Sequence, residues 1–354
     1  MTTATQSDRL IASLRQRIIA GEFAPGQRLP TFQELESRFR VSRSVAQLAV
    51  TRLKEDGFLR ARTSRGLYVA DRPPHLRRYG VVFAVPHGTP DWSQFDEVLV
   101  REARQLETRP ADREFDFFAG TEDHRDGPGV LERLRREVRR DRLAGVIFTP
   151  GTHGLSLQEP FTDPTLPKVF IFAPPSDPWR PIVSADSPAM IRRGLGWLAQ
   201  RGRRRVAMVR VSDYGAAWDW RSFYEEAGLD YRPQWVQAVG RCDPSVLQTL
   251  IPLLMDYPAE QRPDGLFIVD DNLVAHAAAA VTQMHLRIGL DLDLVAHCNW
   301  PCPTPSPLPI RRIGFHTGHL LARCLEAIDA QRRGEPPPPV QLVPALFEDE
   351  AEAT

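Results

Sequence analysis

The sequence predicts an α/β chain: an N-terminal winged helix-turn-helix domain joined to a larger, two-lobed domain built on parallel sheets. Charge and periodicity predict it together. Residues 1–78 carry 15 Lys or Arg against 7 Asp or Glu, and the other 276 carry 30 against 38, so a net charge of zero hides modules at +8 and −8. A basic module of this kind is the footprint of a nucleic-acid partner, although a solvated basic surface looks the same by charge alone. Apolar spacing decides: helical and then hairpin-like in the basic module, short runs alternating with amphipathic stretches in the acidic one. At 354 residues and 42% hydrophobic content the chain can form two or three domains.

Leu10, Ile11, Leu14 and Ile18 recur around Arg15, Gln16 and Arg17, which predicts an amphipathic helix over 8–20, stopped by Gly21 and Pro25-Gly26. A second helix starts at Thr31, whose hydroxyl can cap a backbone N–H while Glu34 reaches back; Phe32, Leu35 and Phe39 form its stripe. After the Arg40-Val41 turn, Ser42 caps a third helix ending near Asp56-Gly57. Its inward face reads Val45, Leu48, Ala49 and Leu53, and its outward face begins with Arg43, Ser44 and Gln47. Two helices so joined are a helix-turn-helix, which sets the start of the second helix against base edges in the major groove; Arg43 is the natural bidentate reader of guanine. A hairpin follows, with strands at 58–62 and 67–69, a tip at Thr63-Ser64-Arg65-Gly66, and Leu59, Leu67 and Val69 underneath. Its basic tip reads as a wing for phosphate or minor-groove contacts, and Gly66 supplies the φ freedom of the turn.

In order, G-x-x-x-P-G-x-x-L-P-T (21–31), V-S-R-x-V (41–45), L-x-x-x-G-F (53–58) and R-G-x-Y-V (65–69) resemble the winged-helix domain of the gluconate-repressor (GntR) family of bacterial transcription factors. The resemblance covers about residues 10–69. It implies double-stranded operator DNA as partner, with contacts at Thr31, Gln33, Ser42, Arg43, Ser44, Gln47, Arg62, Ser64, Arg65 and Gly66. Family members often carry Arg where this chain has Gln33 and Gln47, so operator sequence or affinity is expected to depart from the family pattern. A winged helix used only for protein contacts stays open beside this reading.

Residues 72–78, with Pro73-Pro74, read as a linker between domains at 1–71 and 79–354. Apolar runs at 79–85, 115–119, 144–149, 169–173, 182–185, 205–211, 235–239, 265–269, 292–297 and 310–315 predict strands. Helical stretches lie between many of them, at 93–106, 130–142, 190–201, 244–255, 274–286 and 318–332. Such alternation implies parallel sheets with right-handed crossovers, and this many strands suit two sheets. The order, with segments such as YGVVFAVP, LAGVIFTPG, RPDGLFIVDDNLVAHAAAAV and LDLVAHCNW, resembles the effector domain of the lactose/galactose-repressor (LacI) family, itself similar to periplasmic sugar-binding proteins. That resemblance implies a periplasmic-binding-protein-like domain with one lobe at about 79–184 and 310–335 and the other at about 185–309 and 336–354. It also implies a small-molecule effector and a homodimer on a palindromic operator. The combined layout is similar to that of the Gram-positive arabinose repressors. No LacI-type hinge helix is evident in the proline-bearing linker, so coupling to DNA is expected to take another route.

In open α/β sheets ligands bind beyond the carboxyl ends of the strands. Trp92, Trp218, Trp220 and Trp300 fall just past strand ends, where an aromatic plate can hold the apolar face of a sugar; the alternative is that they cover loop bases. By the resemblance, Arg221 falls at a ligand-binding arginine, whose five donors suit a vicinal diol or a carboxylate. Asp270 replaces the family's Asn, which favours hydroxyl donors or an internal pair with Arg221. The family's ligand-binding Asp is missing at His297-Cys298-Asn299, and Asn299 stands in for it. With His87, these form the expected effector set, for a carbohydrate or a derivative.

Nothing supports an enzyme: no phosphate-binding P-loop, no G-x-S-x-G, and Gly194-Leu195-Gly196 lies inside a helix, where packing explains it. Cys298 and Cys302 with His297, or His316 with His319, lack the paired spacing of zinc sites, so neither metal nor cofactor is expected. Four cysteines are too few for a disulfide scaffold, and no basic-then-apolar leader or membrane-length apolar run occurs; the expectation is a cytoplasmic protein. A DNA-binding protein whose large domain is a ligand-free dimerisation scaffold is the rival reading.

Overall fold

The computed structural model describes residues 5–62, 66–108, 113–121, 129–173, 181–212, 215–216, 218–240 and 243–353. The head consists of α1 (Gln6–Ile19), α2 (Phe32–Phe39), α3 (Arg43–Glu55), β1 (Leu59–Arg62) and β2 (Gly66–Val69). Thr5 and Thr31 start the first two helices in capping boxes with Asp8 and Glu34, and Ser42 caps α3 by accepting from the Val45 N–H. Leu10, Leu14, Ile18, Leu35, Leu53, Phe58 and Val69 share one core. Leu48, expected to face inward, is 57% exposed, and the buried stripe of α3 is Ala46, Ala49, Val50 and Leu53. Alanines at two of these positions let α3 pack closely on α1, and helical spacing then turns residue 48 outward. The hairpin pairs Leu59 with Val69 and Arg62 with Gly66. The wing tip with Ser64 and Arg65, and the Arg62 side chain, lie outside the described residues.

Where the linker showed no helix, Pro74–Arg77 forms a single turn, α4. Proline at a helix start carries a preset φ and lacks an N–H that would be unpaired there anyway, which is why a proline pair can open the turn. The His75 ring stacks on Phe58 with centroids 5.5 Å apart.

Beyond it follow β3 (Arg78–Phe83), α5 (Gln94–Glu107), β4 (Glu114–Ala119), α6 (Gly129–Arg139), β5 (Gly145–Phe148), β6 (Lys168–Ile171), β7 (Ile182–Ala185), α7 (Ser187–Gln200), β8 (Val206–Val211), α8 (Trp220–Glu226) and β9 (Val236–Val239). The chain continues through α9 (Leu247–Met255), β10 (Gly265–Ile268), α10 (Val274–Gln283), β11 (Asp293–Trp300), β12 (Arg311–His316), α11 (Thr317–Arg332), β13 (Val340–Val343), β14 (Leu346–Phe347) and α12 (Glu348–Glu352). Every apolar run singled out above forms a strand. One sheet has the order β13-β7-β6-β5-β3-β4 and the other β14-β12-β11-β10-β8-β9, with β14 antiparallel to β12 at the edge.

Two strands exchange places relative to the lobe boundaries expected from sequence. The strand β12 pairs in parallel with β11 in the second sheet, and β13 pairs in parallel with β7 in the first. Residues 301–310 include five prolines, which prevent a crossover helix there. An extended proline-rich segment rises about 3.1 Å per residue, enough to run back along a strand and bring β12 beside β11.

By backbone packing the chain forms two compact units. One comprises Met1–Ala84, Leu106–Phe170 and Glu326–Pro337, the other Val85–Gln105, Ile171–Leu325 and Pro338–Thr354. In the second unit the sheet is buried on both faces, and successive residues serve opposite cores. Val206, Met208, Phe267 and Val295 pack with α7 and α8, while Ala207, Val209, Leu266, Ile268 and Leu294 pack with α9 and α10. A Cβ at Gly194 would lie 2.5 Å from the Phe267 ring, so this glycine lets α7 sit down on the sheet. No helix among the described residues is long and apolar enough to cross a membrane.

Candidate nucleic-acid interface and effector site

The head presents the start of α3 to solvent. Ser42, Arg43, Ser44 and Gln47 are all exposed. Ser42 Oγ lies 2.9 Å from Ser44 Oγ, so both hydroxyls are tied to the first turn. The Arg43 guanidinium lies over the Phe32 ring, 4.7 Å from its centroid, and donates to Glu36 at 3.3 Å. With 58% of its side chain exposed it is held by a weak surface pair and a ring, both breakable in exchange for a base or phosphate. Thr31 is committed to its cap, and Gln33 is exposed beside it. Gly66 adopts φ +100°, the conformation that favours glycine, and a Cβ there would stand 3.1 Å from Arg28 Nε.

Arg28 was not singled out in the sequence because it lies outside every helix. The structure bridges its backbone to Tyr68 of the wing and sets its side chain at the wing base. It also joins Gln27, Thr31, Gln33, Ser37 and Arg38 along an open groove of about 800 Å³. Leu48 and Thr51 continue the exposed face of α3 from Ser44 and Gln47 at i, i+3, i+4 and i+7.

The expected effector residues all lie in the second unit. Asp270 follows β10 and accepts from the backbone N–H and the Nδ2 of Asn272, at 2.9 and 2.7 Å. Asn272 in turn accepts from the Gln94 N–H at 2.9 Å, which ties the start of α5 to this loop. Asp271 is buried and accepts from Asn299 Nδ2 at 2.7 Å, while Thr304 Oγ1 donates to the Asp271 carbonyl at 3.2 Å. Burial, with Asp270 beside it, pushes the Asp271 carboxyl up to about 7. His297 Nδ1 stands 3.9 Å from Asp271 Oδ1, and burial holds that imidazole down at about 4. The distance alone suggests an ion pair, but burial favours the neutral form of each partner, so near neutral pH this is a weakly charged polar cluster.

The tryptophans divide. Trp220 is 7% exposed, donates from Nε1 to the Gly215 carbonyl, and packs with Trp218 and Phe223 at centroid distances of 5.4 and 5.9 Å. Trp300 is 6% exposed and donates to the Leu346 carbonyl. Trp218 and Trp92 are half-buried. Trp92 Nε1 and His87 Nε2 share Glu97 Oε2 at 3.0 and 3.1 Å, and their rings meet edge to face at 4.9 Å. Arg221 is exposed, stacks over Tyr231 at 4.9 Å, and pairs with Glu225 at 3.8 Å instead of with Asp270. Asp270, Trp92 and His87 thus keep accessible polar or aromatic surface, whereas Asn299, Trp220 and Trp300 are bound into the packing. Sequence reasoning missed Gln94 and Asn272, whose only local signal is the helix start that each flanks. No group of three or more His, Cys, Asp or Glu able to hold a metal occurs among the described residues.

Residues 6–69 match the family described as bacterial regulatory proteins, gntR family, and residues 195–346 match the periplasmic binding protein-like domain. The chain joins a gntR-type regulatory head to a periplasmic-binding-protein-like domain. Its structural neighbours include a LacI-family regulatory protein from Chloroflexus aggregans, at 18% identity and TM-score 0.60, covering 76% of this chain and 96% of that one. The transcriptional regulator CelR in complex with cellobiose aligns at 15% identity and TM-score 0.60, over 91% of this chain and 100% of that one. A LacI family transcriptional regulator from Lactobacillus casei with bound glucose aligns at 16% identity and TM-score 0.56, over 77% and 98%. At such identities these likenesses concern the fold. No curated protein matches the chain. A gntR-type regulatory head with an appended periplasmic-binding-protein-like domain is the architecture of a bacterial transcriptional regulator.

Proposed function

We propose that this chain is a sequence-specific, homodimeric transcriptional repressor, acting on a palindromic operator in the cytoplasm and controlled by a small carbohydrate or carbohydrate derivative. The observation that carries the DNA half is the exposed start of α3. There Arg43 is preset over Phe32, and Ser42, Ser44 and Gln47 stand beside it, in the position from which a recognition helix reads base edges. Arg28 at the wing base and the expected tip at Ser64 and Arg65 supply the phosphate contacts.

For the effector half, two structural neighbours hold cellobiose and glucose. Here Asp270 offers a carboxylate to sugar hydroxyls, with Trp92 and His87 as aromatic neighbours. Arg221 reaches the ligand only by leaving Glu225 and Tyr231. A ligand-free scaffold is favoured instead by the burial of Trp220 and Trp300 and by the commitment of Asn299 to Asp271.

The test has two arms. Random duplex DNA is selected with the full chain, and binding is followed against salt; a DNA reader loses affinity with a slope of about −0.9 per neutralised phosphate. Thermal shift against pentoses, hexoses, sugar acids and disaccharides, with Asp270→Asn and Arg221→Ala as controls, separates the effector reading from the scaffold. A ligand at 100 times its Kd adds about 2.7 kcal/mol. No enriched duplex removes the repressor reading, and no shift from any sugar removes the carbohydrate effector.

A further inference from the structure

The recognition helix ends on a buried charge cluster that reaches outside the head. Asp56, which caps α3, is 3% exposed and accepts from Arg15 of α1 at 3.0 Å. Its other oxygen faces Arg140, just past the end of α6, at 3.6 Å and Arg52 at 3.9 Å. Arg15 in turn faces Asp141 at 3.8 Å, and Gln16 donates to the same Asp141 oxygen at 3.5 Å. The alternation is complementary: a carboxylate and a guanidinium of the head, Asp56 and Arg15, meet a guanidinium and a carboxylate of the α6 end, Arg140 and Asp141. All of these residues belong to the first compact unit. Arg15 also lies over Phe58, 5.6 Å from its centroid, and Phe58 carries the His75 ring of the linker on its other contact.

A buried charge is tolerated only when paired, and breaking a buried pair is costly because the remaining charge stays desolvated. Within the head, Asp56 has Arg15 and the more distant Arg52. The closest cation outside the head is Arg140, and the closest anion to Arg15 outside it is Asp141. The α6 end therefore completes a pairing that begins inside the DNA-binding domain. It does so at the C-cap of the helix that reads DNA, where a small displacement tilts the whole helix.

We propose that Arg140 and Asp141 are positioning residues for DNA binding: they fix the orientation of α3 on the α/β domain through Asp56 and Arg15, and so form the route by which that domain sets operator affinity. This rests on the DNA-binding reading given above. The junction is a mechanical link separate from the linker and its α4 turn, because its charges join the recognition helix directly to the end of α6.

The experiment uses the full chain and the double variant Arg140→Gln/Asp141→Asn. Asp141 sits at φ +49°, which asparagine also adopts readily, so the second change removes charge without a backbone penalty. Amide hydrogen exchange is measured over 50–58 and 136–144, with affinity for a duplex selected by the wild-type chain and for a duplex carrying half of that site. The expected result is faster exchange in both segments together. Binding to the full site should weaken about tenfold, with half-site affinity unchanged within about twofold. Arg140→Lys should restore most of the full-site affinity. Unchanged exchange in either segment, or equal losses on full and half sites, overturns the proposal in favour of a purely structural pair. Failure to select any duplex defeats the DNA-binding reading instead, and the exchange measurement still decides whether the junction holds the head.

Discussion

Replacing Asp271 by asparagine should stabilise the second unit, and the gain should grow with pH. The buried carboxyl is pushed from an ordinary 3.8 to about 7. A folded pKa above the unfolded one means that the unfolded chain releases its proton first, so stability falls as pH rises from about 4 to about 7 and stays low beyond. At 1.36 kcal/mol per pH unit the ceiling above pH 7 is about 4 kcal/mol. Side-chain relaxation and water entry in the folded protein reduce this to about 2 kcal/mol. Asparagine keeps the oxygen that accepts from Asn299 Nδ2, and its amide can donate toward the buried His297 Nδ1, which has no hydrogen-bond partner. His297 acts in the opposite sense: held at about 4, it makes stability rise between pH 4 and 6.5, so the wild type is nearly flat there and only the difference between the two proteins isolates Asp271. The assay is thermal unfolding of both proteins from pH 4 to 8, where about 2 kcal/mol corresponds to roughly 4–8 °C in a unit of this size. A variant whose advantage shrinks as pH rises would refute the burial argument.

The other predictions concern the head and the sheet. Arg43→Ala should cost about 1–3 kcal/mol on a selected duplex, whereas Glu36→Gln, which frees Arg43 and removes a negative charge, should tighten binding to all duplexes by less than about 1 kcal/mol, both read by titration at fixed salt. Gly194→Ala drives a methyl into Phe267 and should destabilise by about 1–3 kcal/mol, while Gly196→Ala, with open space around it, should be neutral or stabilise by up to about 1 kcal/mol in denaturant melts. Burial and the nearby Arg332 hold His75 at about 4, so its stabilising contribution is complete above pH 6.5 and is lost as pH falls toward 4; His75→Phe should flatten that limb of the stability profile.

Much of the fold was legible because it depends on local chemistry. Thr31 with Glu34, and Ser42 before Val45, carry their capping geometry in three-residue spacing, and the apolar runs become strands because little else could bury them on both faces. Leu48 was misplaced because periodicity favours leucine over alanine for an inward face, whereas close packing of α3 on α1 favours the smaller residue. The exposed polar residues at the start of α3 were legible by spacing, whereas Arg28 was not, because its place beside Gly66 depends on a bridge between residues 40 apart in the chain.

The sequence by itself determined the two modules, most of their elements, and the side chains at the start of α3, since each follows from hydrophobic period, capping or turn chemistry within a few residues. Tertiary structure alone decided which tryptophans are buried, that Arg221 turns to Glu225, that β12 joins β11, and that Asp56 meets Arg140. These depend on desolvation and on charges brought together from distant parts of the chain, and a burial cost or an ion pair does not exist until the fold has removed the water between its partners.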